Sequence, residues 1–252
     1  MQIIGFFNLT HNSDKTLSAL SFANALIANG NNILFLNINL NENHKILEPF
    51  CVGNFIDFVN KKNKLMQITT RLHFFNFDLI NLLNTDFEWL NKMEETYLKT
   101  IIDNFFKMIA NSKKYDFVIV NMFSNSLDNL NKNLIRKLNY LICPTNASMV
   151  NQESYNLIYK IIKSENKNNL FKKIFILFTK FENFSKSTMQ TIDQFKISFP
   201  LMIIDYHVPQ LILKNNKKVN FLENEKSFNI WNTKTHFLFS QIVNFLKIDK
   251  NT

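Results

Sequence analysis

The chain has 252 residues, 46% of them hydrophobic and 14% aromatic, which is enough apolar material for a well-buried α/β core and too much for a disordered chain. A net charge of +9 and a pI near 9.4 suit polyanionic partners such as DNA, RNA or an anionic membrane surface, although scattered lysines on a solvated face explain the charge equally well. Two distant cysteines, Cys51 and Cys143, without a CxxC pattern, exclude a disulfide scaffold and read as reduced core residues of a cytoplasmic protein.

Asn fills about one position in six, while Gly is 3 and Pro 4, a bias that AT-rich codons produce without any low-complexity segment. The N-terminus reads as a strand followed by polar loop residues and not as a signal peptide. No apolar run is long enough to span a bilayer, so no membrane span is expected.

Taken in order, Ile3 to Phe7 (IIGFF) is a short buried strand, followed by a polar loop. From Lys15 to Asn29 the apolar positions Leu17, Leu20, Phe22, Ala23, Leu26 and Ile27 recur at helical spacing, and Gly30 supplies the stop. Ile33 to Leu36 is a second strand, and Asn54 to Lys62 suits a helix. His73 to Leu83 mixes strand and loop signals. Glu94 to Ser112 is a strongly amphipathic helix running into the strand at Tyr115 to Val120.

The alternation continues with a helix at Leu127 to Leu138 and a strand at Tyr140 to Cys143 ending at Pro144. A helix at Asn151 to Lys163, a strand at Lys173 to Phe178 and a helix at Ser187 to Phe195 follow. A short strand at Leu201 to Ile204 and a final helix at Thr235 to Leu246 complete the pattern. Strands alternating with helices predict a doubly wound α/β fold, its mostly parallel sheet covered by helices on both faces. No Gly/Ser/Pro-rich linker interrupts residues 1–252, so a single domain is expected.

The strand–loop–helix–strand opening is the layout of a phosphate-binding unit, with Lys15 and Thr16 where the loop ends and its helix begins. The alternative is an ordinary helix start with Lys15 on the surface and Thr16 solvated. The order of segments NLTHNSDKTLSALSFANALIANGNNILFLNINLN, YDFVIVNMFSNS, LNYLICPTNAS and YHVPQLILKNNKKVNFLEN resembles the ParA/MinD family of partition and positioning ATPases. These are P-loop NTPases with a deviant Walker A loop written KGGxGKT[ST]. The resemblance spans nearly the whole chain. It implies ATP and Mg²⁺ as cofactors, dimerisation across nucleotide, and nucleotide contacts from Asn12, Ser13, Asp14, Lys15, Thr16 and, in the late Ile-Pro-Arg-like turn, Pro209.

Measured against that pattern, the loop glycines are replaced by His11, Asn12 and Asp14. Glycines let backbone N–H groups close around phosphate, and the Asp14 carboxylate would repel a phosphate about 4 Å away by roughly 1 kcal/mol in water and by several in a shielded pocket. The family's signature lysine falls on Thr10, its two aspartates after the second strand on Asn37 and Asn39, and its Walker B aspartate on Asn121. An amide keeps the carboxylate's shape and loses the charge a hard dication needs. Thr16 is left as the candidate Mg²⁺ ligand.

The resemblance therefore implies a degenerate ParA-like protein acting by binding in DNA or plasmid partitioning or intracellular positioning, with ATP hydrolysis lost or vestigial, as a homodimer or as a heterodimer with an intact ParA-like protein. The alternative is an active ATPase that uses substitute carboxylates, Asp14 or Asp128. Lys172, Lys173, Lys214, Lys217 and Lys218 form small basic groups that could contact DNA phosphates without reading bases. The five histidines have no metal-ligand spacing, and the C-terminal helix lacks the strongly basic face of a membrane-associated relative.

Overall fold

The computed structural model describes residues 1–11, 13–38, 55–73, 75–123, 127–165, 174–180, 185–200, 202–204 and 233–245. Seven strands form one sheet: β1 (Gln2–Phe6), β2 (Ile33–Asn37), β3 (Thr70–Leu72), β4 (Phe77–Asn81), β5 (Phe117–Asn121), β6 (Tyr140–Asn146) and β7 (Ile174–Thr179), in the spatial order β3-β4-β2-β5-β1-β6-β7. All neighbours are parallel except the edge pair β3–β4. The chain winds outward from β1 in one direction and crosses back over it between β5 and β6, which makes the C-terminal end of β1 the switch point where α/β sheets place ligands.

The central strands are buried on both faces, as β5 with its sequence FVIVN shows. Their alternation sorts the core into two layers. Ile33, Phe35, Phe117, Ile119, Phe77 and Leu79 face α1 (Lys15–Ala28) and α8 (Thr233–Phe245), whose Leu20, Phe22, Phe239 and Ile242 close that side. Leu34, Leu36, Val118, Val120, Ile176 and Phe178 face the opposite layer. That layer is built from α2 (Phe55–Val59), α3 (Asn84–Asn91), α4 (Glu95–Ser112), α5 (Asn129–Ile135), α6 (Gln152–Glu165) and α7 (Lys186–Ser198).

Helix α1 lies between the sheet and α8, so even its polar Ser18 and Ser21 are buried. Ser21 donates back to the Leu17 carbonyl at 2.7 Å. The helix ends as expected, with Gly30 at φ 76.

Several boundaries differ from the sequence reading. The ambiguous stretch His73 to Leu83 contains β4 and leads into α3, and β3 adds an antiparallel edge. Strand β6 runs through Pro144 to Asn146. The Ile142 carbonyl accepts from Phe7 on the β1 side. Pro144, two residues on, turns its missing N–H to that same side, past the end of β1, where no ladder bond is lost. The expected strand near residue 203 is only an isolated bridge, Ile203 to Ile176. Cys143 is buried with its thiol pushed far up by desolvation, a core residue; Cys51 lies outside the described residues.

Candidate functional site

The switch point is formed by the loop from Phe7 to Asp14, the first turn of α1 and the C-terminal ends of β2, β4, β5, β6 and β7. Loop residues Asn8, Leu9, Thr10 and Ser13 are buried, and His11 is exposed. Without glycines the loop is held by polar braces. Asn8 donates to the Thr10 carbonyl at 2.8 Å, and the Thr10 hydroxyl accepts from the Asn146 N–H at 2.8 Å. Ser154 on α6 donates to the Leu9 carbonyl at 3.2 Å. The Thr179 hydroxyl at the end of β7 donates to the Ser13 carbonyl at 3.0 Å. Thr10 is thereby tied inward to the end of β6.

Asp14 has φ 51 and ψ 34, the left-handed backbone that glycine adopts most easily and that Asp tolerates better than most residues. Its side chain caps none of the first N–H groups of α1. The carboxylate instead lies 3.5 Å from the ammonium of Lys180, which follows β7 and also has positive φ. The charge expected to repel a phosphate therefore has a cation beside it.

Lys15 and Thr16 are not the surface residues of an ordinary helix start. Lys15 is fully buried and Thr16 nearly so. The Lys15 ammonium donates to the carbonyl of Met122, just beyond β5. Thr16 accepts from the side-chain amide of Asn121 at 3.0 Å.

Asn121 belongs to a row. Strand pairing puts Asn81 opposite Asn37 and Asn37 opposite Asn121, so the last residues of β4, β2 and β5 stand side by side on the α1 face. Asn121 Nδ2 donates to Asn37 Oδ1 at 2.7 Å, and Asn37 Nδ2 donates to Asn81 Oδ1 at 2.7 Å. All three side chains are buried. Asn121 Oδ1 and the Ser13 hydroxyl, both buried, have no hydrogen-bond partner among the described residues.

This donor set does not fit Mg²⁺. The cation demands hard, anionic oxygens in near-octahedral array, whereas this pocket offers neutral amides and a hydroxyl that already accepts a hydrogen bond. No rotation of the three amides supplies a negative charge. Among the described residues no group of three His, Cys, Asp or Glu could hold a metal. A phosphate group fits better, because the N-terminus of α1 presents a favourable dipole to an anion.

Of the substitute carboxylates, Asp14 pairs with Lys180 as above. Asp128 caps α5, accepting from the Asn131 N–H at 2.8 Å, and burial raises its pKa. Asn12, Asn39, Lys172, Lys173, Pro209, Lys214, Lys217 and Lys218 lie outside the described residues. The sequence reading missed Asn81, Lys180 and the carbonyl of Met122. The signal for Asn81 was present, since β2, β4 and β5 read ILFLN, FDLIN and FVIVN and each ends in Asn.

No family model and no curated protein matches the sequence, but solved structures match the fold. A plasmid partition protein from Borrelia burgdorferi, bound to AMPPNP, is 19% identical with a TM-score of 0.66, over 98% of this chain and 98% of that one. A chain of the MinC:MinD cell division protein complex from Aquifex aeolicus is 12% identical with a TM-score of 0.68, over 97% and 96%. Cobyrinic acid a,c-diamide synthase from Mycobacterium smegmatis, with bound ADP and magnesium, is 13% identical with a TM-score of 0.67, over 99% and 97%. At such identities the likeness establishes the fold, the doubly wound sheet of ParA/MinD-type P-loop proteins. Function has to be argued from the site, because this scaffold carries a partition protein and a biosynthetic enzyme alike.

Proposed function

We propose that this chain is a degenerate ParA-like protein that acts by binding, in plasmid or DNA partitioning or in intracellular positioning, with ATP hydrolysis lost. The observation that carries the reading is the state of the loop lysine and its surroundings: the buried Lys15 ammonium donates to the Met122 carbonyl, and neutral amides stand where the family resemblance implies metal-binding carboxylates. Phosphoryl transfer depends on positioning and on cationic stabilisation of the transferred group. Removing one such element typically costs orders of magnitude in rate, and here the metal ligands and the second lysine go together.

In this reading the protein works in the cytoplasm as a dimer, either with itself or with an intact ParA-like partner, independently of nucleotide turnover. Its basic residues, including Lys172, Lys173, Lys214, Lys217 and Lys218, contact DNA phosphates without sequence preference. A plasmid partition protein and a cell-division complex among the structural neighbours support this direction. An active ATPase with substitute carboxylates is disfavoured, because Asp14 is paired with Lys180 and Asp128 serves as a helix cap.

Phosphate release from ATP and Mg²⁺ by the wild type and Lys15→Ala tests the proposal. The expected rate is indistinguishable from buffer for both. Mg²⁺-dependent turnover that disappears in Lys15→Ala would contradict it.

A further inference from the structure

We infer that the row Asn81–Asn37–Asn121, closed onto Thr16, is a built-in replacement for a divalent cation: it ties three strand ends to the first turn of α1 and excludes metal from the site. The inference deepens the reading of lost hydrolysis and rests on it. It adds a role for Asn81, which sits one strand further out than the residues the family resemblance points to.

Adjacent strands in a sheet are about 4.8 Å apart, so residues paired across β4, β2 and β5 present their side chains within reach of one another. Amides placed this way can hydrogen-bond sideways, each both donor and acceptor, and extend the sheet's hydrogen bonding by one further row. Carboxylates cannot. Side by side in a buried site they repel, and a cation between them or a proton on one of them is needed to make the arrangement tolerable. Neutral amides remove both the repulsion and the need for the cation.

The row has a direction. Asn37 gives its N–H to Asn81 and its oxygen to Asn121, while Asn121 donates to both Asn37 and Thr16. A carboxylate at position 121 could accept from the Thr16 hydroxyl but would meet the Asn37 oxygen with no hydrogen to offer. Asn37 could turn its amide to meet it, at the cost of its bond to Asn81. The arrangement therefore depends on all three amides together, and Asn81 is the positioning residue that fixes which way Asn37 points.

In the described residues this joins the ends of β4, β2 and β5 to Thr16 through side-chain bonds of 2.7–3.0 Å. A metal-dependent site gains this joint only when loaded, whereas here it is permanent. A phosphate arriving at the loop meets it without a bridging cation.

The test uses the full chain as wild type, Asn121→Asp and Asn81→Ala. Bound Mn²⁺ is read by electron paramagnetic resonance, and thermal unfolding is followed with and without millimolar Mg²⁺. The wild type is expected to bind no Mn²⁺ and to unfold at the same temperature with or without metal. Asn121→Asp is expected to lose roughly 2–4 °C without metal, to recover part of that with Mg²⁺ and to acquire a bound Mn²⁺ signal. A structural role alone would not produce that gain. Asn81→Ala, at the outer end of the row, should lose a similar interval that metal does not restore, which keeps the test decisive should Asn121→Asp fail to fold.

Saturable Mn²⁺ binding by the wild type would overturn the inference. So would an Asn81→Ala protein as stable as the wild type, or a folded Asn121→Asp protein indifferent to metal. Mn²⁺ binding without ATP turnover would defeat this inference and leave the proposed function standing, while ATP turnover would defeat the proposed function itself.

Discussion

Asp78 is a buried charge outside the candidate site that is held by three partners. It is buried in β4 and accepts from Lys114 at 2.5 Å, the Tyr115 hydroxyl at 2.7 Å and Arg71 at 3.1 Å. Burial by itself would raise its pKa, but these hydrogen bonds outweigh it and hold the carboxyl below its ordinary value of 3.8. The folded state thus keeps Asp78 ionised to lower pH than the unfolded chain does. Its stabilisation is present above the unfolded pKa and is lost as pH falls through the folded one. Arg71 and Lys114 are about half exposed, so their ion pairs contribute little, on the order of 0–1 kcal/mol each. The buried Tyr115 hydroxyl decides the cost. Asp78→Asn should destabilise the fold by about 2 kcal/mol at neutral pH. The difference from wild type should shrink as unfolding is measured from pH 6 toward pH 3, and a constant difference would contradict the assignment.

At the scale of elements, packing tolerances are set where backbone comes close to neighbouring side chains. Gly5 in β1 is such a place: a Cβ there would lie 2.4 Å from Leu138 Cδ1 and 3.2 Å from Met122 Sδ. Leu138 is buried and has little room to move. Gly5→Ala should therefore lose about 1 kcal/mol, because overpacking of 1–3 kcal/mol outweighs the 0.5–1 kcal/mol that Ala gains over Gly in a strand. Urea unfolding should show a lower midpoint at unchanged slope. The same scale shows what the sequence could reveal. Long periodic elements such as α1 and α4 were legible because their apolar spacing is unambiguous. β4 was not, because Asp78 interrupts its apolar run, and the tertiary partners Lys114, Tyr115 and Arg71 make that charge acceptable inside a strand buried on both faces. The full length of β6 was hidden for a similar reason: whether Pro144 ends a strand depends on where β1 stops, which is a property of the sheet.

Across the whole molecule, the order of segments was enough to predict a doubly wound sheet, and the solved structures share that fold. The site was half legible. Thr10, Asn37 and Asn121 could be singled out from their positions, and strand alternation places Asn37 and Asn121 on the α1 face. The inward turn of Lys15 to Met122 and the pairing of Asp14 with Lys180 could not be read, since each joins residues more than a hundred positions apart. Together these contacts describe a loop and helix start held by internal hydrogen bonds and one ion pair. Among the described residues no helix is long and apolar enough to cross a membrane.

The central claim is that this site no longer uses a metal to engage nucleotide. Calorimetric titration of ATP into the wild type and Lys15→Ala, each with and without Mg²⁺, tests it most directly. The account predicts that Mg²⁺ does not strengthen whatever binding the wild type shows. Saturable binding that Mg²⁺ tightens tenfold or more, and that Lys15→Ala abolishes, would contradict it.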